Sequence, residues 1–159
     1  MAMIENRTYD EIEIGESASS EHRLTDRDIA LFAAMSGYLK QHPDCAHRDQ
    51  LKDALSTLEQ AVNWLNDNAR QDPEQAGAAA TPFLRLTGLT VIGWMWVRMS
   101  DAAREAQANG EGNHDFNEAK QIAARFFFDK VLPEKEALLA DIVDGKDSVM
   151  ALNDDQWAI

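Results

Sequence analysis

Leu51-Lys52-Asp53-Ala54-Leu55-Ser56-Thr57-Leu58-Glu59-Gln60-Ala61-Val62-Asn63-Trp64-Leu65 places apolar residues at Leu51, Leu55, Leu58, Val62 and Leu65, and Ala69 extends the series. The spacings alternate between four and three, which lines one side of a helix with the seam that packs helices in a bundle. A long helix is therefore predicted from about Asp49. With Val62 in its core face, Val62→Asp is expected to unfold or severely weaken the domain by burying an unpaired charge.

Downstream, Asn68 to Ala79 reads as a loop around Asp72-Pro73. Thr81-Pro82 reads as an N-cap followed by proline in the first helical position, opening a second helix that runs to about Ala106. Asn109-Gly110-Glu111-Gly112-Asn113 is a turn-rich break. Asp115 and Glu118 have capping-box spacing for a third helix, carried on by Ile122, Phe126, Phe127, Val131, Leu138 and Ile142. Pro133 should kink or split it, and Gly145 should end it. Upstream, Ile12 and Ile14 alternate with Glu11 and Glu13, a short period-two signal. Thr25 can cap a short helix, with Asp26 and Asp28 in its first turn and Ile29, Phe32 and Ala33 on one face; Gly37 or Pro43 stops it. The predicted fold is all-α: a three- to four-helix up-down bundle over 51–159, a linker over 38–50, and a short extended N-terminal arm over 1–37 that ends in a short helix.

The 159 residues suit one domain, and 45% hydrophobic with 27% charged residues is the composition of a globular chain. The formal net charge of -13 argues against partners that present phosphate backbones or anionic membrane surfaces, so neither nucleic acid nor membrane is expected. The single cysteine, Cys45, has no internal disulfide partner, and no signal peptide is legible. Both fit a cytoplasmic protein.

The second helix carries no charge from Leu86 to Val97, too short a run for a membrane span. Trp94 and Trp96 differ by about 200° around a helix, so they face opposite sides. A helix apolar all round must be covered all round. One tryptophan is expected in the core and the other against a partner, most simply a second copy in a homodimer.

Candidate chemistry is sparse. His42, Cys45 and His47 are metal-ligand types, but a structural zinc site needs four ligands in a closed geometry, so they remain weak candidates and no metal is expected. Glu134, Glu136, Asp141 and Asp144 alternate with Lys135 and apolar residues, as a solvated helix face does. Phosphate-loop and nucleophile-elbow motifs are absent, and no catalytic residue is assigned.

Two resemblances extend this reading. Ile4 to Asp10, Ile14-Gly15-Glu16, Leu24 to Ile29 and Phe32-Ala33-Ala34-Met35-Ser36-Gly37 resemble the start of a MaoC-like enoyl-CoA hydratase, over about residues 4–37. That family has a hot-dog fold, and its catalytic aspartate and histidine follow the Ser-Gly. Here Tyr38 to His47 follow, so neither residue carries over.

Residues 51–157 resemble the C-terminal helical domain of large acyl-CoA dehydrogenases of the 3-methylmercaptopropionyl-CoA dehydrogenase type. The resemblance lies in Leu58-Glu59-x-Ala61-x-x-Trp64-Leu65, Ala80-Thr81-Pro82-Phe83-Leu84-Arg85, Gly93-Trp94, Ala124-Arg125-Phe126-Phe127 and Leu132-Pro133. It implies acyl-CoA, or fatty-acid, metabolism as context. It also implies no FAD on this chain, since the flavin site of that family lies in an upstream catalytic body.

The pair of resemblances implies a gene fusion; a natural deletion, an engineered junction or a domesticated small protein would all give this sequence. The leading expectation is a non-catalytic, self-associating helical protein, with an acyl-CoA-metabolising enzyme as a further partner. The alternative is an acyl-CoA binder or an enzyme related to either family, in which His42, Asp44 and His47 replace the missing hydratase pair.

Overall fold

The computed structural model describes residues 26–152 and Gln156, and these form an all-α domain. The helices are α1 (Asp26–Gln41), α2 (Arg48–Asn68), α3 (Pro73–Ala108), α4 (His114–Phe126) and α5 (Lys135–Asp144). Between α4 and α5 the chain loosens and then tightens, as a π-helical turn over Phe127–Val131 and a 3-10 turn over Leu132–Glu134. Pro133 lies in the latter, so the predicted break is real and turns one long helix into two. The Ile12–Ile14 alternation, the Thr25 cap and most of the hydratase-like stretch lie outside the described residues.

Short connections at 42–47, 69–72 and 109–113 make sequential helices antiparallel neighbours. The six-residue connection before α2 is shorter than the predicted 38–50 linker, because Gly37 does not stop α1 and Pro43 does. The long helix α3 is the spine: α2, α4 and α5 all pack on it, α5 also packs on α2, and α1 lies along α2. The core gathers Leu51, Leu55 and Leu58 of α2, Leu86 and Val97 of α3, Phe127 and Phe128 of the π-turn, and Leu138 and Ile142 of α5.

The α2 seam packs as its spacing requires over its first half. Leu51, Leu55 and Leu58 are buried, whereas Val62, Leu65 and Ala69 are only half-buried. Ala54, Thr57 and Ala61 are buried instead, because a helix of 3.6 residues per turn drifts against a strict heptad and α2 has two neighbours, α3 and α5, rather than one. Val62 is not part of the core cluster. The charge-burial argument therefore transfers from Val62 to Leu51.

Two helix starts differ from prediction. The helix α3 begins at Pro73, where Asp72 is an extended N-cap whose carboxylate accepts from Glu74 N at 3.1 Å. Asp72-Pro73 thus outcompetes Thr81-Pro82, and Pro82 is absorbed inside the helix. In α4 the cap is Asn113, accepting from Phe116 N at 3.0 Å, with Asp115 in the first turn.

Gly145 ends α5, as its type predicts, with φ 72° and ψ -155°, a region essentially reserved for glycine. A Cβ there would stand 2.6 Å from Gln75 Oε1 and 3.5 Å from Trp64. The same Gln75 oxygen accepts from Lys146 N at 3.0 Å, and Lys146 Nζ lies 2.6 Å from Asp72 and 2.5 Å from Glu74. This knot ties the end of α5 to the start of α3. It also holds the Asp72 carboxyl below its ordinary value, chiefly through the Lys146 hydrogen bond. Gly145→Ala is expected to cost about 1–3 kcal/mol from backbone strain alone, read as a lower urea midpoint with an unchanged slope. An unchanged midpoint would mean that the chain after α5 is not fixed here.

Candidate functional site

The unusual composition of α3 resolves into two faces. Leu86, Thr90, Val97 and Ser100 are fully buried against the other helices. On the opposite side Leu84, Ile92, Met95 and Met99 are 74, 45, 53 and 38% exposed. At 100° per residue these four side chains fall within about 80° of one another and extend over about 22 Å. Gly88 lies in the same strip, with open space where a Cβ would stand. Charge is confined to the two edges. Arg85 is engaged by Glu134, with Nε 2.6 Å and Nη2 2.9 Å from its carboxylate. Arg98 lies over the Trp94 ring, 5.1 Å from its centroid. Exposed Phe116, Ile122 and Phe126 give α4 an outward apolar row of its own.

Trp94 and Trp96 flank the α3 strip. Both are half-buried and pack against the core. Neither is the fully buried or the fully outward residue that the sequence argument expected. Their separation around the helix is as predicted, but the side chain that points outward between them is Met95. Trp94 Nε1 is buried and makes no hydrogen bond among the described residues.

A polar clamp joins α1, the 42–47 connection and α3. Tyr38 donates its hydroxyl to Asp101 Oδ2 at 2.9 Å, and Ala46 N donates to Asp101 Oδ1 at 3.1 Å. Arg104 stands 3.7 Å from Asp101 and donates to the Asp44 carbonyl at 3.4 Å. Burial, then the Asp101 hydrogen bond and charge, push the Tyr38 phenol up to about 12. Burial, then Asp101, push the Cys45 thiol up as well. Both groups therefore keep their protons at neutral pH. Tyr38 donates to Asp101 as a neutral phenol and Cys45 stays a thiol, which is a poorer nucleophile than a thiolate. The Tyr38–Asp101 pair spans 63 residues, and no local pattern announces it.

The three candidate metal ligands are engaged separately. His42 stacks on Tyr38 at 4.1 Å, and His47 stacks on Phe128 at 4.4 Å with Nδ1 2.9 Å from Gln50 Oε1. Cys45 faces the clamp, and its backbone N donates to the His42 carbonyl at 3.3 Å. Among the described residues no three His, Cys, Asp or Glu side chains are placed to hold a metal ion. Glu136, Asp141 and Asp144 are exposed, as a solvated face requires, but Lys135 is not: it is buried between α5 and α2. No helix among the described residues is long and apolar enough to cross a membrane.

This spine-and-clamp domain has relatives. Residues 29–153 match the family described as acetyl-CoA dehydrogenase C-terminal like. The chain belongs to that family. The match takes in Ile29 to Gly37 as well as the region from Leu51 onward, so α1 is part of the family domain. The chain is also 33% identical over 130 residues to the 3-methylmercaptopropionyl-CoA dehydrogenase of Ruegeria pomeroyi, which covers 80% of this chain. The chain spans 22% of that relative's length. Membership of the family relates the domain to acyl-CoA metabolism, and the part it aligns with is a portion of a much larger protein.

Proposed function

We propose that this chain is a non-catalytic, self-associating helical module of acyl-CoA metabolism, joined through its α3 strip. The observation that carries this reading is the row Leu84, Ile92, Met95 and Met99, a continuous apolar surface with charge only at its edges. Folded monomers rarely leave such a row in water, and two-fold pairing covers it on both copies at once. The net charge of -13 opposes the pairing, so association should tighten as salt screens the repulsion. The same face is available to an acyl-CoA-metabolising enzyme, because the Ruegeria pomeroyi relative carries the matching region within a far longer protein. Because residues 29–37 fall within the matched family domain, only the stretch before residue 29 fits this reading as the start of an enoyl-CoA hydratase fused to the domain, and hydratase and dehydrogenase remnants in the flanking genes would support that history.

Light scattering across a concentration and salt series tests the association. The wild type is expected to dimerise, more tightly in high salt. Met95→Glu is expected to give a folded monomer with unchanged helical circular dichroism, because Met95 already points outward. A wild type that stays monomeric at high concentration and high salt removes the proposal.

A further inference from the structure

A groove of about 380 Å³ runs between α1 and α2. Its volume lies within the range of small-molecule sites. Leu39 and Leu55, both buried, and half-buried Phe32 form its floor. Its mouth at the α1–α2 turn carries Lys40, Arg48 and Lys52. Such a cluster of cations is notable in a chain with 15 basic and 28 acidic residues. Neither Lys40 nor Lys52 pairs with a carboxylate among the described residues. Among the described residues Arg48 meets only its neighbour Asp49, at 3.6 Å, and its Nε is buried with no hydrogen-bond partner there.

The first turn of α2 carries Asp49, whose carboxylate offsets the positive end of the helix dipole, so the cationic character of the mouth rests on Lys40, Arg48 and Lys52. Among the described residues the one acid lining the groove, Glu59, lies about 10 Å along α2 from Lys52, at the opposite end. Cationic head, apolar middle and acidic far end give the groove a direction.

We propose that this groove binds an amphipathic anion. A medium-length acyl chain lies along Leu39, Leu55 and Phe32, and its carboxylate or phosphate headgroup is held by Lys40, Arg48 and Lys52. The charges select the anion and the floor selects the chain. The inference is independent of self-association, since the groove and the α3 strip share no residue.

Calorimetric titration of the full chain tests it, with decanoate, decyl phosphate, inorganic phosphate and decyltrimethylammonium as probes. Decanoate or decyl phosphate is expected to saturate at one per chain. Tighter decyl phosphate assigns the headgroup to phosphate, and equal or tighter decanoate assigns it to carboxylate. The double variant Lys40→Glu, Lys52→Glu, both exposed and so expected to fold, should weaken binding by about tenfold or more. Ser56→Trp, which fills the groove from an exposed position, should abolish it. The proposal fails if neither decanoate nor decyl phosphate saturates, if the cationic detergent binds as well as decanoate, if inorganic phosphate alone binds as well as the two chain-bearing anions, or if either variant binds like the wild type.

Discussion

Leu51→Asp is expected to leave the chain without a cooperative fold. Leu51 is fully buried at the point where α2 meets the spine, and its Cδ1 lies 3.7 Å from where a Cβ of Gly93 would stand. Phe127 and Phe128 close on the same spot, at 3.5 and 3.7 Å. Three elements thus converge on one side chain. Removing a buried leucine costs about 2–5 kcal/mol, and a carboxylate with no partner in that place costs several more. A domain of this size has about 5–15 kcal/mol in total. Far-UV circular dichroism should show most of the helix lost at room temperature, with no sharp thermal transition. Val62→Asp is the internal control: half-exposed and outside the core cluster, its carboxylate can turn to water, and the fold should survive. Equal damage from both would mean that the seam is buried along its whole length.

That contrast shows what the sequence could and could not reveal. Periodicity located α2, its core face and the break at Pro133, because each depends on residues within one or two turns. It overran at Val62, since a linear stripe cannot say how many helices will pack on it. The start of α3 was misplaced because Asp72-Pro73 and Thr81-Pro82 are both valid openings, and the cap that wins is the one also tied to Lys146, 74 residues later. The two tryptophans were correctly separated around the helix, but the exposed direction depends on where α2, α4 and α5 settle. The Tyr38–Asp101 clamp and the cationic mouth of the α1–α2 groove are assembled from different helices, and neither has a local motif. Lys135 is indistinguishable by local pattern from a run of surface charges, because its neighbours Glu134 and Glu136 are half-buried and exposed while it alone turns inward.

Lys135→Glu should then be among the most damaging single changes on α5, while Lys135→Met should be nearly silent. Lys135 is only 5% exposed. Its ammonium lies 2.8 Å from Asp53, donates to Thr57 Oγ1 at 3.3 Å, and contacts the Glu136 carboxylate. Burial alone would pull its pKa down, but the hydrogen bonds and charges of Asp53 and Glu136 outweigh it, and the net shift is upward. A folded-state pKa raised above the ordinary 10.5 means that the ammonium's contribution is complete at neutral pH. It is lost only as pH rises beyond that value. Glutamate in its place sets a third carboxylate into a buried position beside two others. Breaking a buried pair in this way costs about 3–5 kcal/mol, visible as a large fall in urea midpoint at pH 7. Methionine removes the charge but leaves no orphan. The Asp53 and Glu136 side chains are 65 and 68% exposed and can rehydrate, and Thr57 keeps its own bond to the Asp53 carbonyl at 3.0 Å. Buried ion pairs replaced by well-packed apolar side chains are often neutral or stabilising, so the Met variant should match the wild type at pH 7. Unlike the wild type, it should lose little further stability when the pH is taken above 10.5. Equal losses for Met and Glu would show that the ion pair itself, rather than the burial of its stem, holds α5 to α2.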